Sequence, residues 1–222
     1  MTDNQPERSI EEQVLHRVED GVAWITLNRP EAANAVTPDQ RNRVIALLEE
    51  ANASYETRAV VITATGERFC TGADLRPGKA AAPPPKPEGA PPIVMGDIAR
   101  TIRTGALRLV GAVMDCEKPV IAAVNGTAAG IGAHLAFACD LVIAAEEAKF
   151  IEVFVRRGIV VDGGGAYLLP RLVGLQKAKE LVFFGDDLPA RDAERLGLVN
   201  RVVPRAELEK AAAEWAGRLA SG

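Results

Sequence analysis

Three places in this chain combine residue types and spacing that could do chemistry. Asp162 stands in "VVDGGG", a carboxylate approached through apolar residues and followed by three glycines and a helix start. In an apolar setting, lost solvation raises a carboxyl pKa towards values useful for moving protons. The same aspartate could instead be a helix N-cap. His134, one of two histidines in the chain, sits among small and apolar residues in "NGTAAGIGAHLAFACDL"; it is either a packing residue or part of the chemistry. The segments "RFCTGADL" and "NGTAAGIGAHL" share a design, a strand that ends in glycine and small residues before a turn or helix. Such junctions leave backbone N–H groups unpaired, and two of them aimed at one point form an oxyanion hole. Read structurally, those glycines permit tight turns and close packing.

The elements that must position these residues alternate between strand and helix, which argues an α/β fold. "VLHRVEDGVAWITLNRP" holds two alternating apolar runs joined by Asp20-Gly21, a hairpin signal. Thr37, Pro38 and Gln40 form a helix start with a cap, a first-turn proline and a glutamine three residues after the cap. Val44, Leu47, Leu48 and Ala51 share one face of that helix. "AVVITATG", "VIAAV" and "DLVIAA" are short, continuously apolar strands of the kind covered on both sides, and "AKF" is a shorter one. Asp97 is expected to cap a helix carrying Ile98, Ile102, Leu109 and Val113. "GGGAYLLPRLVG", "LQKAKELVFFG" and "PARDAERLGL" predict helices, "VNRVV" a strand, and Arg205 to Leu219 a last amphipathic helix. A strand-strand-helix cadence at 14 to 54 and a strand-helix cadence at 119 to 145 suggest a recurring unit.

The bulk composition narrows the field. A chain of 222 residues with 48% hydrophobic and 25% charged residues reads as one globular domain. A net charge of -4 gives no sign of a nucleic-acid-binding surface, so an anionic ligand must be held by local groups. Cys70, Cys116 and Cys139 are odd in number and far apart, without metal-ligand or disulfide spacing, which fits a reducing cytosol. The polar start, residues 1–13, has no apolar signal region. The most apolar region, Val120 to Ala145, is broken by glycines and polar residues and does not read as a membrane helix. From 76 to 97 the chain is dense in proline, alanine and glycine, and it is expected to be a flexible loop that closes over a ligand.

Four segments in order, "ITLNRPEAANAV", "ERFCTGADL", "KPVIAAVNGTAAGIGAHLAFACDLVIA" and "RRGIVVDGGGAYLLPRLVG", resemble the crotonase superfamily, the enoyl-CoA hydratase/isomerase family. The resemblance covers about Val14 to Leu219. It implies a spiral of ββα units over 14–203 with C-terminal helices, of which 204–222 would be the first and the rest would lie beyond the given chain. It also implies a homotrimer or dimer of trimers in the cytoplasm, and a coenzyme A thioester as substrate with no further cofactor and no metal.

Carried over by position, the resemblance places the oxyanion amides at Ala73 and Ile131. Ala32 and Ala33 would line the nucleotide and pantetheine path, with Thr71, Ala73, Asp74 and Leu75 near the adenine end. The two glutamates that hydratases of the family use fall on His134 and Phe154, so hydration by that mechanism is not expected, and Phe154 would instead line the substrate site. Glu152, two residues before Phe154, is expected to share its side of a strand. Asp162 resembles the acid/base aspartate of certain double-bond isomerases and the nucleophile of aryl-CoA dehalogenases. Isomerisation through an enolate, with Asp162 and His134 as the catalytic pair, is the leading expectation. An aspartate nucleophile in dehalogenation or thioester hydrolysis, and a non-catalytic acyl-CoA-binding protein, are the alternatives.

Overall fold

The computed structural model describes residues 8–76, 88–91 and 96–222, with the backbone alone at Ile98. The loop expected over 76–97 therefore lies mostly outside the described residues. The chain opens with a one-turn helix α1 (Ile10–Gln13), closed by a capping box between Ser9 and Glu12. Strands β1 (Val14–Glu19) and β2 (Val22–Leu27) form the expected hairpin, with Asp20 and Gly21 at positive φ (50° and 77°) as its two-residue turn requires. Helix α2 (Pro38–Ala53) starts at Thr37, whose hydroxyl and the Gln40 side chain bond reciprocally across the first turn. It buries Val44, Leu47, Leu48 and Ala51, the stripe read from the sequence.

The remaining chain repeats a two-strand unit. Strands β3 (Ala59–Ala64), β5 (Val120–Val124) and β7 (Leu141–Ala145) enter one sheet. Their successors β4 (Arg68–Cys70), β6 (Thr127–Ala129) and β8 (Lys149–Ile151) enter another. Helices α3 (Asp97–Thr104) and α4 (Ala106–Met114), then α5 (Ile131–Phe137), then α6 (Gly165–Phe184), follow these pairs in turn. With β9 (Leu188–Pro189), α7 (Ala190–Arg195), β10 (Arg201–Val203) and α8 (Leu208–Ala220), the sheets read β1-β2-β3-β5-β7-β10 and β4-β6-β8-β9. The strands of the large sheet run parallel apart from the hairpin. This is the spiral of ββα units that the sequence motifs imply.

The large sheet is apolar on both faces, and its strands show why their sequences run without polar alternation. Val60 and Ile62, Val120 and Ala122, Val142 and Ala144 join the core shared with α2, α4 and α5. Their alternating neighbours Val61, Ile121 and Ile143 pack against Leu208, Ala211, Ala212 and Ala216 of α8.

Three expectations need correction. Asp97 is the first helical residue of α3, and Gly96, at φ 95°, takes the cap position. The helix expected beyond it breaks at Gly105 into α3 and α4. Glu152 does not continue β8: the backbone turns there (φ -85°, ψ 74°) into a 3-10 turn, Val153–Arg157. Among the described residues, no helix is long and apolar enough to cross a membrane.

Candidate active site

Two turns and one loop make the site. The first turn follows β4, where Gly72 takes φ 105°. Val36 N donates to Gly72 O (2.8 Å) and Asp74 N donates to Val36 O (3.0 Å), a single parallel bridge that straddles Ala73. In that geometry the N–H of Ala73 faces away from Val36. The second turn follows β6. Gly130 N donates to Ile151 O (2.9 Å), and α5 begins at Ile131, so the Ile131 N–H belongs to the first helical turn and has no intrahelical partner. Neither amide has a backbone acceptor among the described residues.

Glycines press the two turns together. A Cβ on Gly132 would lie 2.1 Å from Cys70 O, and one on Gly126 would lie 1.8 Å from Glu67 O. Any side chain there would push β4 away from β6 and α5. Close packing and presented amides are thus two results of the same arrangement.

Asp162 reaches the site from the loop before α6. It is not that helix's cap: Gly164 holds the cap position, and Asp162 contributes only its carbonyl, which accepts from Gly165 N (2.9 Å). Among the described residues, its carboxylate has no hydrogen-bond or ion-pair partner. Burial raises its pKa above the ordinary carboxylate value; the charge of His134 opposes that shift and the charge of Glu152 adds to it.

Ala73, Asp74, Leu75, Ile131 and Asp162 line one cavity of about 260 Å³, closed on its other sides by Val36, Thr37, Pro38 and Arg41 of the α2 start and by residues of α3 and α4. Asp74 is not free to meet a ligand as a bare carboxylate. It is buried and bonded to Arg29 (3.0 Å) and to Arg76 Nε (2.9 Å), and these bonds, Arg76 foremost, hold its pKa far below the usual carboxylate range. Arg29 in turn donates to Gln40 Oε1 and Ala35 O, which ties the turn to the start of α2.

Ala32, Ala33 and Thr71 do not line this cavity; they form the adjoining loop, joined by a Thr71 hydroxyl bond to Ala33 O (3.1 Å). Ala33 and Asn34 both take positive φ (54° and 52°), and the Asn34 side chain holds that shape by accepting from Arg29 N and donating to Thr65 O and Arg68 O.

His134 and Phe154 are also outside the cavity. The His134 ring is fully buried, stacked on Phe154 at 5.4 Å, and it runs beneath the glycine turn that carries Asp162. A Cβ on Gly165 would sit 2.3 Å from His134 Nε2. His134, expected beside Asp162 as its catalytic partner, thus lies outside this cavity, with Nδ1 3.4 Å from where a Cβ on Gly163, next to Asp162, would stand.

Its partner is a residue that the sequence reading passed over. Glu152 is buried, and His134 Nε2 lies 3.0 and 3.2 Å from its two carboxylate oxygens. Among the described residues, His134 Nδ1 has no partner. A signal existed in "FIEVF": a charged residue inside a buried apolar run needs a mate, and His134 is the matching oddity elsewhere in the core.

A larger cavity, about 440 Å³, opens on the opposite face of the large sheet between β1 and α8. It contains neither turn and none of the candidate residues. Among the described residues, no three His, Cys, Asp or Glu side chains are grouped as a metal site.

Comparison with known proteins adds the family. The family model for enoyl-CoA hydratase/isomerase matches residues 17–222. A probable enoyl-CoA hydratase of Rhodobacter capsulatus is 38% identical over 93% of this chain and 74% of its own. The 1,2-epoxyphenylacetyl-CoA isomerase of Escherichia coli is 35% identical over 95% of this chain and 77% of its own. The crystal structure of an enoyl-CoA hydratase from Bacillus anthracis superposes with a TM-score of 0.83 at 33% identity, covering 95% of this chain and 77% of that one. The chain belongs to the enoyl-CoA hydratase/isomerase family and is an enzyme of the lyase or isomerase kind.

Proposed function

We propose that this enzyme moves a double bond in an acyl-CoA thioester through an enolate. The thioester oxygen lies between the Ala73 and Ile131 amides, and coenzyme A runs past Ala32, Ala33 and Thr71, while Leu75 lines the cavity with Asp162. Asp162 takes a proton from the α carbon, the thioester carries the electron pair as a dienolate, and Asp162 returns the proton at the γ carbon. One C–H bond breaks and another forms, so a single base suffices. The two amides stabilise the oxyanion without a cationic side chain.

One observation carries this reading. Of the two carboxylates that line the cavity among the described residues, Asp74 is tied up by two arginines, which leaves Asp162 as the carboxylate able to accept a proton there. The pair of glutamates that hydration would use is absent: one position is the buried His134, the other is Phe154, and Glu152 bonds to His134 beneath the turn. His134 and Glu152 support the Asp162 turn from below and set its electrostatic surroundings.

The test is a panel of 2-enoyl-, 3-enoyl- and aryl-CoA thioesters followed by mass spectrometry. Interconversion of 2- and 3-enoyl isomers is expected. Water addition as the main product would overturn the isomerase reading, a covalent adduct on Asp162 would make it a nucleophile, and tight binding without turnover would make the protein a carrier. The expected trimer draws support from Leu175, Phe183 and Phe184, large apolar residues of α6 that are exposed in the single chain; light scattering checks it.

A further inference from the structure

Among the described residues, Arg41 is the one cationic side chain lining the cavity that holds Asp162, and the rest of that wall is apolar apart from Thr37 and Thr101 and the two aspartates. Its Nε and Nη2 donate to the neutral Asn42 Oδ1 (3.3 and 3.1 Å). Among the described residues, no carboxylate comes within ion-pair distance of it. Asp74 is bound by Arg29 and Arg76 and so offers no compensation. Burial and the like charge of Arg108 push the pKa of Arg41 down, and Asp39 only partly offsets them. The wall thus presents a guanidinium that has no ion-pair partner among the described residues, fit for a bidentate carboxylate.

Its place along the cavity identifies which part of a ligand it would meet. Arg41 Nη1 lies 3.3 Å from where a Cβ on Gly105 would stand, at the corner between α3 and α4. The next residue, Ala106, lies 3.4 Å from the Cβ position of Gly163, beside Asp162. Arg41 and Asp162 therefore flank the same corner. The loop of Ala33 and Thr71 lies at the other end of the Val36–Ala73 bridge, because the two segments run parallel there. With coenzyme A along that loop and the thioester at Ala73, Arg41 falls on the acyl side.

We infer that the acyl pocket accepts an acyl group that itself ends in a carboxylate, a mono-thioester of a dicarboxylic acid, with Arg41 holding the free carboxylate. This rests on the acyl-CoA reading above and adds the substrate class to it. An apolar acyl end in this place would leave the guanidinium desolvated without a counter-charge.

The test is equilibrium binding by calorimetry, independent of turnover. It uses two saturated acyl-CoA thioesters of equal chain length, one ending in a carboxylate and one in a methyl. The wild-type protein should bind the carboxylate-ended thioester tighter by on the order of 10-fold or more, the size of a charged hydrogen-bonded contact. Arg41→Gln should bring that ratio close to one, and Arg41→Lys should keep part of it. Equal affinities in the wild type, or a loss in Arg41→Gln that falls alike on both thioesters, would overturn the inference; the second result would assign Arg41 to the coenzyme moiety they share. Binding of neither thioester would remove the acyl-CoA reading itself, and this inference with it.

Discussion

Asp74 and Asp162 line one cavity and differ in every respect that gives a carboxylate its role. Asp74 is buried between two guanidiniums and keeps its charge far into acid. Asp162 is partly buried without a bonded partner among the described residues, and burial makes it hold its proton more readily. The first fixes the turn that offers the Ala73 amide; the second is left able to gain and lose a proton. Residue type and cavity are the same, so neighbouring cations, and not place in the cavity, set the two carboxyl groups apart in how readily they hold a proton.

The sharpest way to break the contrast is Asp162→Asn. The change keeps size and hydrogen bonding but removes the base, and a loss in kcat on the order of 10²–10⁴ is expected from steady-state kinetics. Acyl-CoA affinity should stay close to that of the wild type, since both amides remain. Asp74→Ala should behave in the opposite way. It leaves buried Arg29 without its counter-ion, and a stability loss of about 3–5 kcal/mol is expected in denaturant unfolding. The enzyme that remains folded should lose affinity more than chemistry, through a looser Ala73 turn.

Glu152→Ala comes next. It strips His134 of its one hydrogen-bond partner and leaves both ring nitrogens buried and unbonded, at a cost of about 1–3 kcal/mol. Its kcat should fall less than that of Asp162→Asn, because neither His134 nor Glu152 reaches the cavity. Unfolding and turnover measured on one preparation separate the two effects.

The smallest effect is in pH dependence, where the two aspartates tilt stability in opposite senses. Asp74 has a lowered pKa in the fold, so its contribution is present above the ordinary carboxylate range and is lost as pH falls through that range and below. Asp162 has a raised pKa, so the folded chain binds its proton more tightly than the unfolded chain, and its contribution turns unfavourable as pH rises through the folded pKa. Asp162→Asn should therefore be slightly more stable than the wild type at neutral pH and show no such gain in acid. Urea midpoints from about pH 3 to about pH 7 would reveal it; a midpoint difference that ignores pH would remove the claim that Asp162 is strained by burial.

Much of the scaffold was legible because local physics decides it. The Asp20-Gly21 turn, the Thr37 capping box and the doubly covered strands each rest on residues within one turn or one strand. The errors arose where a distant partner or a backbone turn decides. Glu152 was placed on a strand because β8 precedes it; its backbone turns out of the strand, and its mate His134 is 18 residues away. The occupation of Asp74 by Arg29 spans 45 residues and leaves no local trace. The break at Gly105 was hidden by a helical apolar pattern that continues across it. Residue type and spacing alone single out Asp162 and the two turns as candidates, and the cap alternative stays open for Asp162 until the loop geometry shows Gly164 in that position.

The close glycine contacts also sort the chain's possible second-site revertants. Gly126 and Gly132 face backbone oxygens of Glu67 and Cys70, which every residue type possesses, so no other substitution can make room for a side chain there. Gly165 faces the imidazole of His134 and, at 2.7 Å, Val161 Cγ2, and side chains can be exchanged. Gly165→Ala alone should cost about 1–3 kcal/mol by overpacking. In a His134→Ala background the same change should cost less, although Val161 Cγ2 would still stand 2.7 Å from the new Cβ. A genetic screen for suppressors would then return changes at His134 for Gly165→Ala, and none for Gly126→Ala.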